Sequence, residues 1–239
     1  MAATYEIRLI GRKDVAEGTM AFLFEKPPGF SFGAGQFARF TLIDPPETDA
    51  EGNARTFSLA SAPYEENLMI ATRMRDTAFK RVLKGMAPET RVTARGPYGS
   101  LTLHEEAARA AVFLAGGIGI TPFRSILMQA ARDQLARTII LFYSNRRPED
   151  AAFLEELSAL QGRTDGFKMI AVMTDMARSN RSWDGPTGHI DAEMLKTHID
   201  DLARPGYYIA GPPGMVAAMQ NILAGAGAQD VRVEQFAGY

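Results

Sequence analysis

The chain has 239 residues, with 46% hydrophobic and 23% charged residues and a formal net charge of -2; this ordinary globular composition allows one or two domains. That balance gives no global reason to expect nucleic acid or an anionic membrane as a partner. The absence of cysteine excludes disulfides, thiolate catalysis and cysteine-ligated zinc or iron–sulfur clusters, so redox chemistry in this chain needs an organic cofactor.

Residues 1–103 read as short strands separated by turn residues. YEIRLIG, GTMAFLFEK, GQFARFTLI, RTFSLAS, NLMIATRM and RVTARGP are rich in β-branched and aromatic residues and often alternate. Pro27-Pro28-Gly29, Gly33-Ala34-Gly35 and Asp44-Pro45-Pro46 punctuate them. One helix is predicted from about Thr77 to Met86, where Ala78, Val82 and Met86 recur at helical spacing. Six strands without a parallel-crossover rhythm predict a six-stranded antiparallel β-barrel.

From Ala108 the rhythm changes. AAVFLAG is a continuous apolar run, as expected of a strand buried on both faces, and a helix follows from about Thr121 to Arg132. TIILFYS precedes a predicted helix PEDAAFLEELSAL with proline at its start. FKMIAVMT, a helix near Ala192–Thr197, YYIAG, the helix GMVAAMQNILAG and DVRVEQF complete the series. Strands alternating with helices predict a parallel α/β domain over residues 104–239.

Four segments carry candidate chemistry. In Arg55-Thr56-Phe57-Ser58, arginine supplies fixed charge for a pyrophosphate, the phenyl ring a flat face, and the serine a hydrogen bond to a ring nitrogen. The same residues also fit an ordinary strand with alternating faces. Gly116-Gly117-Ile118-Gly119-Ile120-Thr121-Pro122 follows a buried strand and opens a helix. There glycines let a nucleotide approach the backbone and the helix N-terminus favours its pyrophosphate; a tight strand-to-helix turn is the plainer alternative. Ala210-Gly211-Pro212-Pro213-Gly214-Met215 forms a second such strand exit, and Val233-Glu234-Gln235-Phe236 lies near the C-terminus. The three histidines, His104, His189 and His198, share no metal-site spacing, so no metal is expected. No apolar run approaches the roughly 18–20 residues of a membrane span, and the opening MAATYEIRLIGRKD lacks a signal-peptide pattern. A cytoplasmic protein with no membrane or nucleic-acid partner is expected.

The order RTFS, GGIGITP, AGPPGM and VEQF, with F-x-x-G-Q-F at residues 32–37 and Gly96-Pro97-Tyr98-Gly99, resembles the ferredoxin-NAD(P)H reductase family over nearly the whole chain. The resemblance implies a flavin barrel over 1–103 and an NAD(P)-binding domain over 104–239. It implies a flavin-dependent oxidoreductase that moves a hydride between NAD(P)H and bound FAD, chosen over FMN, and then hands electrons to a redox partner. By resemblance, Arg55 contacts the flavin phosphates with Thr56 beside it in the cofactor site, Phe57 replaces a stacking tyrosine, and Ser58 faces the reactive ring nitrogen. Thr72 and Arg73 follow the second flavin strand, and Ala78, Phe79 and Lys80 bind the flavin pyrophosphate, with lysine where many relatives have serine. Gly116, Gly117, Gly119, Thr121 and Pro122 lie against the nucleotide and flavin, and Gly211, Pro212 and Met215 hold the nicotinamide half. Ala210 stands where relatives usually carry cysteine. Phe236 matches an aromatic that covers the flavin and Glu234 a carboxylate that relays protons or polarises the site, giving Ser58, Glu234 and Phe236 as the catalytic group. Because three residues follow Phe236, Tyr239 is the alternative cover. Asp175 falls where NADH-using relatives carry an aspartate, which favours NADH over NADPH; Ser144, Arg146 and Arg147 weigh the other way, since they can pair with a 2′-phosphate.

Residues 73–84 hold five basic side chains and one acid, which can dock an acidic ferredoxin or flavodoxin or form an ordinary solvated helix face. An oxygenase component is another possible electron-transfer partner. The alternatives carried forward are a flavin or ferric reductase acting on a small acceptor and a non-catalytic flavin-binding sensor.

Overall fold

The computed structural model describes residues 2–236, so Tyr239 lies outside the described residues. The first half builds one six-stranded sheet from β1 (Ala3–Ala16), β2 (Thr19–Glu25), β3 (Phe37–Leu42), β4 (Ala54–Ser58), β5 (Asn67–Arg73) and β6 (Arg91–Tyr98). Its order is β4-β3-β6-β1-β2-β5 and every pairing is antiparallel. The edge strands β4 and β5 approach each other without a hydrogen-bonded ladder, so the sheet is rolled as a barrel that is not closed. Alternating side chains send Ile7, Leu9, Phe22, Phe24, Phe40 and Ile70 into its interior. Helix α1 (Ala78–Gly85) sits between β5 and β6, with Thr77 as its N-cap accepting the Lys80 N–H and with Phe79 and Leu83 entering the same core.

The second half is a five-stranded sheet. Its elements run β7 (Ala111–Gly116), α2 (Ile120–Arg132), β8 (Ile139–Asn145), α3 (Leu154–Gln161), β9 (Phe167–Met173), α4 (Ala192–His198), β10 (Gly206–Gly211), α5 (Pro213–Gly225) and β11 (Val231–Gln235). All pairings are parallel in the order β11-β10-β7-β8-β9. The continuous apolar runs of β7 and β10 are buried at every residue, as strands covered on both faces must be. After β9 the chain crosses back to the other side of β7, which opens a crevice at the carboxyl ends of β7 and β10. The core between this sheet and the first half takes residues from both, including Ala60, Met69 and Leu101 beside Phe113 and Phe123.

One element departs from its sequence expectation. The helix expected from Pro148 is instead a 3₁₀ turn over Pro148–Asp150, and α3 begins only at Leu154. Phe153 between them has φ 60°, a left-handed conformation that no helix tolerates in its interior, and its ring is buried in the core.

Candidate functional site

Two clefts open where the halves meet. The first, of about 320 Å³, is lined along β4 by Arg55, Thr56, Phe57 and Ser58. Thr72 and Arg73 at the end of β5, Lys80 on α1, Thr121 on α2 and Phe236 after β11 also line it. Side chains far apart in sequence thus converge because β4 forms an edge of the first sheet and β11 an edge of the second. The join between them is a hydrogen bond: Ser58 Oγ donates to Glu234 Oε1 at 3.1 Å. Burial pushes the Glu234 carboxyl above the usual carboxylate range, and the Ser58 hydroxyl pulls it only partly back. Glu234 stands in register with Ala210 on β10, which is fully buried and in turn beside Ala115 of β7.

The opposite end of this cleft is cationic. Arg55 lies over the Phe79 ring at 5.3 Å, and Phe79 packs against Phe57 at 5.8 Å. Phe79 is therefore a support beneath two lining residues, and Ala78 is also buried. Lys80 Nζ donates to the Arg73 carbonyl at 2.7 Å. Burial, with the charges of Arg75 and Arg55 nearby, pulls this ammonium below its usual range. The Thr121 hydroxyl is turned back onto the Ile118 carbonyl at 3.0 Å. Asp49, which the sequence did not single out, accepts from both Arg55 and the Ala78 amide. Burial raises the Asp49 carboxyl, but the hydrogen bonds from Arg55, Glu51 and Ala78 outweigh it and the net shift is downward.

The second cleft, of about 560 Å³, lies at the crevice of the parallel sheet. Gly116, Gly117, Pro212 and Met215 line one side, and Ser144, Asn145, Arg146 and Thr174 another. Arg73 and Arg75 border both clefts, so the two are neighbours across a basic divide. Asn145 is buried, yet neither its Oδ1 nor its Nδ2 has a hydrogen-bond partner. A buried amide in that state calls for a polar ligand. Sequence reasoning missed Asn145, although the polar run Ser144–Arg147 leaving an apolar strand was its signal.

Several expected nucleotide contacts lie outside both linings. A Cβ on Gly119 would fall 2.1 Å from the Ala210 carbonyl oxygen, and one on Gly211 3.0 Å from the Gly116 amide, so Gly119 brings the start of α2 onto β10 and Gly211 brings the ends of β10 and β7 together. Pro122 is buried in the first turn of α2. Asp175 donates its amide N–H to the Arg146 carbonyl at 2.8 Å, beside Thr174 on the rim, with Arg178 3.6 Å from its carboxylate. Arg147 is tied to Asp150 and Glu17. In the 73–84 stretch, Arg81 is engaged by Glu47 and Asp76 and Lys80 points inward, while Arg75 and Lys84 are exposed. Among the described residues no group of His, Asp and Glu could hold a metal ion, and no helix is long and apolar enough to cross a membrane.

The flat Phe57 and Phe236 faces, the hydroxyls of Ser58 and Thr72 and the cations at the far end fit a flavin. The orphaned Asn145 amide in a crevice at a topological switch point fits a nucleotide.

The family model of the oxidoreductase NAD-binding domain matches residues 113–221. The chain is 28% identical over 238 residues to ferredoxin--NADP reductase B of Sorangium cellulosum, covering 94% of this chain and 93% of that one. It is 27% identical over 221 residues to a component of the Na(+)-translocating NADH-quinone reductase of Pseudoalteromonas atlantica, covering 85% of this chain and 54% of that one. It thus spans about half the length of that relative. The solved ferredoxin NADP+ reductase of Neisseria gonorrhoeae, with bound FAD and NADP, shares the fold with a TM-score of 0.80 at 24% identity, covering 97% of this chain and 98% of that one.

Proposed function

The chain belongs to the ferredoxin-NAD(P)H reductase family, and from that premise we propose that it is an FAD-dependent NAD(P)H oxidoreductase of the cytoplasm that passes electrons to a ferredoxin, a flavodoxin or an oxygenase component. The Ser58–Glu234 bond carries this reading, because it joins the two halves and sets a hydroxyl and a carboxyl of raised pKa at the Phe57 and Phe236 end of the first cleft. When bound, the flavin supplies the acceptor for the nicotinamide's hydride and releases electrons singly or in pairs.

The protein's share is binding and orientation. Phe57 and Phe236 offer faces for the ring, and the nicotinamide enters from the second cleft between Gly116 and Pro212. Ser58 Oγ is the donor closest to Glu234, whose carboxyl can hold the proton that accompanies reduction. Arg55, Arg73, Arg75 and Lys80 are the cations that line the end of the cleft where the phosphates would lie. Asp175, on the rim beside Thr174, hydrogen-bonds the adenosine ribose and repels a 2′-phosphate, which favours NADH. A second reading, reduction of a small acceptor such as free flavin or a ferric chelate, is supported by the neutralisation of Arg81 on the face where a carrier would dock.

An anaerobic absorbance spectrum, taken before and after NADH and then NADPH, tests the proposal. A flavin spectrum bleached rapidly by NADH is expected; protein that stays colourless after FAD or FMN is supplied overturns it. The kcat/KM for NADH should exceed that for NADPH, and Asp175→Ala should narrow the gap by about tenfold. A wild type that already prefers NADPH would sink the assignment of Asp175.

A further inference from the structure

Arg55 and Ala78 are among the residues that the family resemblance places at the flavin's phosphates, yet the Arg55 guanidinium and the Ala78 amide are both occupied from within the chain. Arg55 Nη1 donates to the carbonyls of Glu51, Gly52 and Ala54 at 3.0, 2.9 and 2.9 Å. Its Nη2 donates to Asp49 Oδ1 at 3.0 Å and lies 3.0 Å from Glu51 Oε2. Nη1 is thereby saturated by carbonyls, and Nη2 is held between the Asp49 and Glu51 carboxylates. The other Asp49 oxygen, Oδ2, accepts the Ala78 N–H at 3.1 Å, at the opening of α1. One carboxylate therefore bridges the guanidinium and the helix amide, as a phosphate oxygen pair would.

The segment that supplies it is the β3–β4 connection, residues 43–53. It is anchored at both ends of its acidic run, by Glu47 on Arg81 and by the Asn53 amide donating to the Leu42 carbonyl at 2.8 Å. Glu51 itself reaches the wall of the flavin cleft. The ring end of the same cleft, at Phe57, Ser58 and Phe236, makes none of these contacts.

Resting on the flavin assignment, we propose that Asp49 and Glu51 act as an internal anion that competes with the flavin's phosphates for Arg55 and the first amide of α1, leaving the flavin held mainly by its ring and readily exchanged. Two anions cannot share these donors without repulsion. Phosphates must either displace the carboxylates or settle for Lys80, Arg73 and Arg75, and in both cases their contribution to affinity falls.

Affinities of riboflavin, FMN and FAD for the flavin-stripped full chain, read by quenching of flavin fluorescence, test this. In the wild type the three should agree within about tenfold, whereas free charge-assisted phosphate contacts would separate riboflavin from FAD by about a hundredfold or more. Asp49→Asn keeps the shape and an acceptor for Ala78 while removing the charge. It should tighten FAD by about tenfold, slow FAD release to match, and leave riboflavin unchanged. Weaker or unchanged FAD binding in Asp49→Asn would overturn the competition and make Asp49 a support for Arg55. A wild type that already binds FAD about a hundredfold more tightly than riboflavin would overturn it without any variant. If no flavin binds wild type or variant, the flavin assignment fails and this inference with it; if all bind and the charge removal changes nothing, only the inference fails.

Discussion

Ser58 and Glu234 are 176 residues apart and meet through one hydrogen bond. A half-buried carboxyl with a single hydroxyl partner is undercompensated, which is why its pKa rises. The consequence for activity is a limb in the pH profile of nicotinamide-driven reduction, placed above the usual carboxylate value of 4.5. Glu234→Gln should remove that limb while leaving flavin affinity within about twofold, since the amide still accepts from Ser58. Stability carries the same signature with a definite sign. A carboxyl whose folded pKa is raised contributes fully below its unfolded value, and the contribution is lost as pH rises through the folded one. Wild type should therefore lose Tm relative to Glu234→Gln between pH 4.5 and neutrality; parallel Tm curves for the two would contradict the burial argument. The sequence named both residues through the order of motifs, but their contact was beyond it, because neither strand carries a mark of the other. Asp49 was missed for a related reason: an acid in a Pro- and Glu-rich turn looks like solvated loop until its partners, Arg55 and the Ala78 amide, are seen.

At the scale of elements, periodicity was enough for the strands and most helices. The fully buried β7 and β10 correspond to runs without a charged residue, and the first sheet to alternating ones. The start of α3 was not legible, since an apolar pattern reports which side chains are buried and says nothing of the φ of 60° at Phe153. The glycine-rich exit after β7 was read as an approach for a nucleotide. Gly117 does line the second cleft, but Gly119 serves packing: it lets the start of α2 rest on the Ala210 carbonyl. Its φ of -59° suits any residue, so the constraint is space alone. Gly119→Ala must push α2 away from β10, because the atoms in the way are backbone. A cost of about 1–3 kcal/mol in urea unfolding is expected. The KM for the nicotinamide should rise more than flavin affinity falls, since the displaced turn borders the second cleft. Unchanged stability would show that the packing at this contact is looser than 2.1 Å implies.

For the whole molecule, the clefts exist only while the two halves stay docked, and the docking is centred on Arg124. This residue of α2 is 3% exposed. Its guanidinium donates to Glu65 in the β4–β5 turn at 3.0 and 3.2 Å, to Glu156 on α3 at 2.8 and 2.6 Å, and to the Ala60 carbonyl at 2.7 Å. It lies 5.2 Å from the Phe153 ring centroid. The neighbouring Ser125 hydroxyl donates to the Ser61 carbonyl at 2.7 Å and accepts the Gly35 amide, again across the seam. In sequence, Arg124 is one charge between Phe123 and Ser125 at the head of an amphipathic helix, and nothing marks it as buried. A buried ion pair broken from one side costs about 3–5 kcal/mol. Here Glu65 and Glu156 are 26% and 38% exposed, so water can reach both abandoned carboxylates and the lower part of that range applies. Arg124→Ala should therefore lose about 3 kcal/mol in urea unfolding. The loss should fall on the coupling between halves, so that a single cooperative transition in the wild type becomes two, with flavin released in the first. Arg124→Lys should restore part of the stability, because one ammonium can still reach one carboxylate but not span both. A variant that unfolds in one transition at the wild-type midpoint would place the coupling elsewhere, in the apolar contacts of Ala60 and Leu101 with the second sheet.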